Sequence, residues 1–347
     1  MKSTGFSRVF LLLIVCAMLV PTPGSAAGND FEIVDGTLVR YVGPGGDVII
    51  PDGVTAIHEW AFYSCTTLTS VTIPGSVTDI QDSAFEKCEN LKSIEIPESV
   101  ASIGDNAFMD CKRLERISIP DGVTQIGDRV FFHCQRLRDV RLPEAITRIG
   151  EDMFSGCHSL ADMEIPGGVM EIGYGAFYDC KALRSITLPD GVRQIGERAF
   201  MDCAALAKVV IPEGVAQIGD YAFASCGSLI NVELPDSVTE LGEHAFFLCT
   251  KLSSVKLSKG LTELGYFAFG RCYALEVVTI PDGMVRLGDY AFGMSGGILS
   301  VVIPPSVTVI EPLAFSADRN LATIYGAPGS AAETFASEHG ISFEVYP

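Results

Sequence analysis

A strict 23-residue period constrains this chain more than any other feature. Ten of its 11 cysteines fall at 65, 88, 111, 134, 157, 180, 203, 226, 249 and 272. Phe keeps step at 62, 85, 108, 131, 154, 177, 200, 223, 246, 269, 292 and 315. Pro does so at 51, 74, 97, 120, 143, 166, 189, 212 and 235, gives way to Ser258, and returns at 281 and 304. One coil reads I-P-x-x-V-x-x-I-G-x-x-A-F-x-x-C-x-x-L-x-x-V-x, with no insertion or deletion from Pro51 to Leu321. Its eight apolar slots cannot be buried by 23 residues alone. Stacked coils bury them against one another, so the period predicts a solenoid. At 347 residues the chain also exceeds what one compact core usually supports.

Each slot has a physical role. Val71 and Ile73 alternate with exposed residues as a strand does, and Pro74 ends the strand because it cannot donate to a ladder. Turn formers follow, as in Pro120-Asp121-Gly122. Val77 and Ile80 return the chain to the core, and Gly104, Gly127 and Gly150 turn it again. Ala107, Phe108, Cys111 and Leu114 share one face of an expected short helical segment, with Asp105 placed to cap it. Twelve coils at strand spacing would make a parallel sheet about 55 Å long.

The ends differ from the array. Residues 1–27 have signal-peptide anatomy: Lys2 and Arg8, an apolar run from Val9 to Val20, then small residues to Ala27. That run is shorter than a membrane span. Cys16 is preceded by Leu13, Ile14 and Val15 rather than small residues, which argues against lipidation. Residues 28–47 carry a hairpin signal at Asp35-Gly36 and are expected to cap the first coil. Residues 48–326 hold the twelve repeats. Residues 327–347 read as a helical and strand cap, with Ser330 as N-cap and Gly340 as the helix stop.

The formal charge is −19, and losing Lys2 and Arg8 with the leader makes it −21. Such a chain is a poor partner for nucleic acid or anionic membranes. A composition of 48% hydrophobic and 19% charged residues excludes disorder.

The run I-P-x-x-V-T-x-I-G-x-x-A-F-x-x-C-x-x-L, clear around Thr124 and from Val215 to Leu229, resembles the BspA-like (Treponema-type) leucine-rich repeats. The resemblance covers residues 30–343. It implies an α/β repeat solenoid, a leucine-rich-repeat right-handed superhelix with a parallel β-sheet on one face and short helical turns on the other. It also implies a secreted or cell-surface adhesin whose partners are proteins, such as host matrix or cell-surface proteins, or other cells. The second functional reading is a structural protein that self-assembles into a surface layer or matrix.

The cysteines lie in one inward slot with parallel Cβ vectors, a poor geometry for bridging, and are expected to be free buried thiols. A row of acids (Glu59, Asp82, Asp105, Asp128, Glu151, Glu197, Asp220, Glu243, Asp289) could collect calcium or cap one turn per coil; capping needs no further ligands. His58, His133, His158, His244 and His339 occupy five different slots, and no G-x-S-x-G elbow occurs. With no insertion to build a pocket, an enzyme is not expected, nor is a cofactor or metal.

Specificity must lie in variable exposed slots. On the strand face Arg116, Asp139, Arg141, Asp162 and Glu164 concentrate charge over three coils. They are either a ligand site or solvated cross-strand ion pairs. Beside the buried Phe, Tyr63, Met109, Phe132, Tyr178, Met201 and Phe247 form either an exposed apolar edge or packing between coils.

Overall fold

In the computed structural model, which describes residues 30–346, the coils cross three ladders along the stack, the first of which is interrupted, with no strand in the coil that holds Asp162. The first ladder is built from short parallel strands such as Ser93–Glu95, Arg116–Ser118, Ser185–Thr187 and Lys208–Val210, each exposed at both ends and buried in the middle. The second consists of two-residue strands such as Ser102–Ile103, Gln125–Ile126 and Gln194–Ile195, paired in register 23 residues apart. Both are parallel because successive coils run in the same direction.

The third ladder corrects the expected helical segments. The stretch around each Phe is a run of tight turns, and among the described residues the sole α-helix is α1, Ala331–His339. The reason is where its N–H groups go. Alternate residues donate outward to the next coil: Asn106 to Asp128 at 2.9 Å, Phe108 to Val130 at 3.0 Å, Asp110 to Phe132 at 2.8 Å. The residues between them close local turns, as Met109 to Asn106 at 2.9 Å and Cys111 to Phe108 at 3.1 Å. This alternation requires two left-handed residues per coil, Asn106 (φ 57°) and Asp110 (φ 58°) here, which no α-helix contains.

The acids are also placed differently from the capping role expected of them. Asp82 Oδ1 accepts from Asp105 N at 2.9 Å, Asp105 Oδ1 from Asp128 N at 2.8 Å, and Asp128 Oδ1 from Glu151 N at 2.9 Å. These aspartates, with Asp220 and Asp289, therefore tie their coils to the next. Gly104 is required by this close approach, since a Cβ there would stand 2.6 Å from the Asp82 backbone nitrogen.

The core is a continuous column. Phe62 to Phe315 stack ring on ring, with centroids 4.8–5.9 Å apart. Tyr41, on β2 (Thr37–Tyr41) of a hairpin with β1 (Phe31–Val34), stacks on Phe62 at 5.0 Å and closes one end. Phe335 of α1 meets Phe315 edge-on at 5.8 Å at the other. Counting the hairpin layer, the solenoid has about thirteen turns.

Among the described residues the cysteines are free thiols, buried from Cys88 to Cys272, with Cys65 half-buried in the first coil. Each buried thiol donates to the carbonyl of the Phe 26 residues earlier, Cys88 to Phe62 at 3.1 Å and Cys203 to Phe177 at 3.1 Å. Burial pushes the thiols of Cys88, Cys111, Cys134, Cys226 and Cys272 well above the ordinary range, so little nucleophilic thiolate forms there. Alkylation without reductant should therefore reach Cys65 first in the native protein, and all ten from Cys65 to Cys272 once it is denatured. Peptide mass spectrometry checks this, and paired cysteines in the denatured sample would contradict it.

Candidate binding surfaces

The charged strand-face residues are all solvent-exposed. Arg116 lies opposite Asp139 in the parallel pair of Arg116–Ser118 with Asp139–Arg141, and Arg141 lies opposite Ser118. In the following coil Asp162 and Glu164 sit in a stretch with no regular strand. The structure thus places Arg116, Asp139 and Arg141 on one strand face, and Asp162 and Glu164 are exposed in the coil that follows. Among the described residues no salt bridge joins any two of these five. Arg141 instead reaches back to Asp121 on a turn, at 2.6 Å, and its guanidinium holds that carboxyl below the usual carboxylate range.

The apolar edge divides. Tyr63 and Tyr178 are exposed, at 45% and 36%, while Met109, Phe132, Met201 and Phe247 are half-buried. Tyr63 accepts a hydrogen bond from Lys87 Nζ at 2.7 Å. Phe247 belongs to an aromatic cluster, edge-on to His244 and Phe267 at 5.3 and 5.4 Å, with the Arg271 guanidinium 5.5 Å from its ring. Phe132, Tyr178 and Met201 line a cleft of about 550 Å³.

Sequence reasoning missed the rest of that cleft: His133, Asp152, Ser155, Tyr174, Gly175, Arg198 and Tyr221. It also missed a second stack, formed two residues before Phe223, Phe246, Phe269 and Phe292. There Tyr221 and His244 lie 4.5 Å apart, His244 and Phe267 5.3 Å, and Phe267 and Tyr290 4.6 Å. The Arg198 guanidinium extends this stack, 5.9 Å from Tyr221 and 5.6 Å from Tyr174, and donates to Tyr174 Oη at 2.5 Å. The available signal was that Arg198, Tyr221, His244, Phe267 and Tyr290 recur at the same 23-residue spacing. Their shared left-handed backbone aims them outward together, and spacing alone does not reveal that direction.

The cleft is mixed in character. Burial raises the Asp152 carboxyl above its ordinary value, opposed by the nearby Arg129 and Arg198. Burial and the Asp202 carboxylate push the Tyr178 hydroxyl up. His133 lies 3.5 Å from Asp110, and its ring is tilted by 37° against that of Phe132, 4.0 Å away. Such a site offers aromatic faces, one carboxylate acceptor and one guanidinium donor.

The sequence profile of the BspA type leucine rich repeat region (6 copies) matches residues 46–161, 128–250 and 216–330. No curated protein gives a significant match. Among solved structures, a leucine rich cell surface protein from Faecalibacterium prausnitzii is 31% identical, with 93% of this chain and 98% of that one covered and a TM-score of 0.59. A leucine-rich repeat protein from Bacteroides ovatus superposes with a TM-score of 0.70 at 23% identity, over 91% and 98% of the two chains. The pneumococcal vaccine antigen PcpA shares the fold at 17% identity, with a TM-score of 0.54 over 92% and 98%.

Proposed function

The chain belongs to the BspA-type leucine-rich repeat family, and from that premise we propose that it is an exported protein-binding module that acts in adhesion at or beyond the cell surface. The observation that carries this reading is the division of labour within each coil. The inward slots repeat almost without change, while the outward slots on either side of each strand centre differ from coil to coil. A rigid, repetitive frame that displays a non-repeating row of side chains is built for recognition, because its residues are ordered before a partner arrives. Export is supported by the leader-like residues 1–27, which lie outside the described part of the structure. No helix among the described residues is long and apolar enough to cross a membrane.

The face assigned to the partner is that of Arg116, Asp139, Arg141, Asp162 and Glu164, with two arginines set among exposed acids on an otherwise acidic chain. A host matrix or cell-surface protein with patches of both signs would be oriented by it. The double change Arg116→Glu with Arg141→Glu is expected to weaken partner binding about tenfold or more while barely moving Tm, since exposed ion pairs contribute little stability. Surface plasmon resonance against matrix proteins, with thermal melts in parallel, measures both. If binding survives that change and is lost with Phe132→Ser and Tyr178→Ser, the apolar edge is the interface instead.

A further inference from the structure

We propose that the cleft between Phe132 and Tyr178 is a separate binding site for neutral oligosaccharides. Its shape comes from a notch in two side-chain rows. Ser155 stands in the row of Phe132 and Tyr178, and Gly175 in the row of Asp152 and Arg198, so the middle of both rows lacks bulk. Gly175 has φ +54°, and a Cβ there would collide with the Asp152 carboxylate. The carboxylate therefore lies over the bare floor of the notch, with aromatic walls on either side.

The chemistry of those walls selects the ligand. Tyr174 and Tyr178 are 37% and 36% exposed, and an aromatic face attracts the slightly positive C–H groups on one side of a sugar ring. Asp152 accepts hydroxyl protons, and Arg198 donates to hydroxyl oxygens through the N–H groups that Tyr174 leaves free. Arg198 is held in place by Tyr174, by its position over the Tyr174 and Tyr221 rings, and by Glu197 at 3.4 Å. The charges nearly balance within the cleft. An anionic ligand would meet Asp152, the neighbouring Glu197 and Asp202 and a chain of charge −19. A neutral, hydroxyl-rich ligand satisfies donor and acceptor without that penalty.

The period of the surface separates sugar from peptide. Adjacent coils are 5.1–5.3 Å apart here, from the Phe154, Phe177 and Phe200 ring centroids. Side chains on one face of an extended peptide recur every ~6.6 Å and would fall out of step within two coils. A pyranose ring is about as deep as one coil, so a linear oligosaccharide stays in register along the stack.

A printed array of neutral, sialylated and sulfated glycans, probed with the full chain, tests this. Binding is expected to be confined to neutral glycans. It should weaken about tenfold or more with Tyr178→Ala and with Asp152→Asn. It should be unchanged by Tyr273→Ala, an exposed tyrosine outside the cleft, and by Arg116→Glu with Arg141→Glu. Thermal melts of each variant separate lost binding from lost fold, and Asp152→Asn keeps the side-chain shape if Tyr178→Ala fails to fold. No neutral glycan bound, binding limited to sialylated or sulfated glycans, or binding that survives both cleft changes would overturn the assignment.

Discussion

Replacing Phe177 by Ala is expected to lower stability by about 3–5 kcal/mol. Phe177 is fully buried in the middle of the array, with Phe154 at 5.3 Å on one side and Phe200 at 5.1 Å on the other, its ring nearly parallel to both. The change removes a large buried ring and two stacking contacts, and the neighbouring coils cannot close the gap. Their spacing is held by backbone bonds that do not involve the ring, such as Phe177 N to Ala199 O at 2.8 Å. Because coils contact mainly their neighbours, the lesion should also weaken coupling between the two halves of the solenoid. Denaturant unfolding would then show a shallower or split transition. A loss below about 1 kcal/mol, far under the range for buried Phe, would mean that the column contributes little.

The second large effect concerns Asp318, which occupies the cysteine slot of the last coil. It is 8% exposed; Oδ1 accepts from Gly296 N at 2.7 Å, and Oδ2 has no partner. Burial pushes this carboxyl up to about 6, although the Gly296 and Ser295 amides pull it down. The folded state therefore holds the proton more tightly than the unfolded chain, whose carboxyl titrates near 4. The associated stability is complete below about pH 4 and is lost as pH rises through about 6, a swing of up to about 3 kcal/mol. Ser295, in the same slot one coil earlier, shows a better solution: its hydroxyl donates to Phe269 O and accepts from Cys272 N, both at 3.2 Å. Asp318→Ser is expected to raise stability at pH 7.5 by up to about 3 kcal/mol and to remove that part of the pH dependence. Stability measured from pH 4 to 8 for both proteins isolates the difference. A variant less stable than the parent at pH 7.5 would show that the carboxylate is accommodated as an ion.

Much of this architecture was legible in the residues. The inward positions of Val71, Ile80, Phe108, Cys111 and Leu114 follow from a repeat that must bury the same slots in every coil. That requirement is insensitive to local backbone detail. The exposed rungs such as Arg116 and Asp139 follow from the two-residue alternation of a strand. Their pairing does not follow, because Arg141 is long enough to choose Asp121 over the opposite strand.

The sequence by itself determined the period, the stack and its core, since burying apolar slots leaves a 23-residue coil no other solution. Tertiary structure decided what lies between those slots. The spacing of Ala107, Phe108, Cys111 and Leu114 suits a helix as well as a run of turns, and the carbonyls of the next coil settled the matter by taking alternate N–H groups. That bonding holds Arg198, Tyr221 and Phe267 at positive φ, against their own preferences. It thereby aims an outer row that local propensity could not foresee. The cleft needs Ser155 and Gly175 from separate coils to be small side by side, a coincidence that exists only once the coils are stacked.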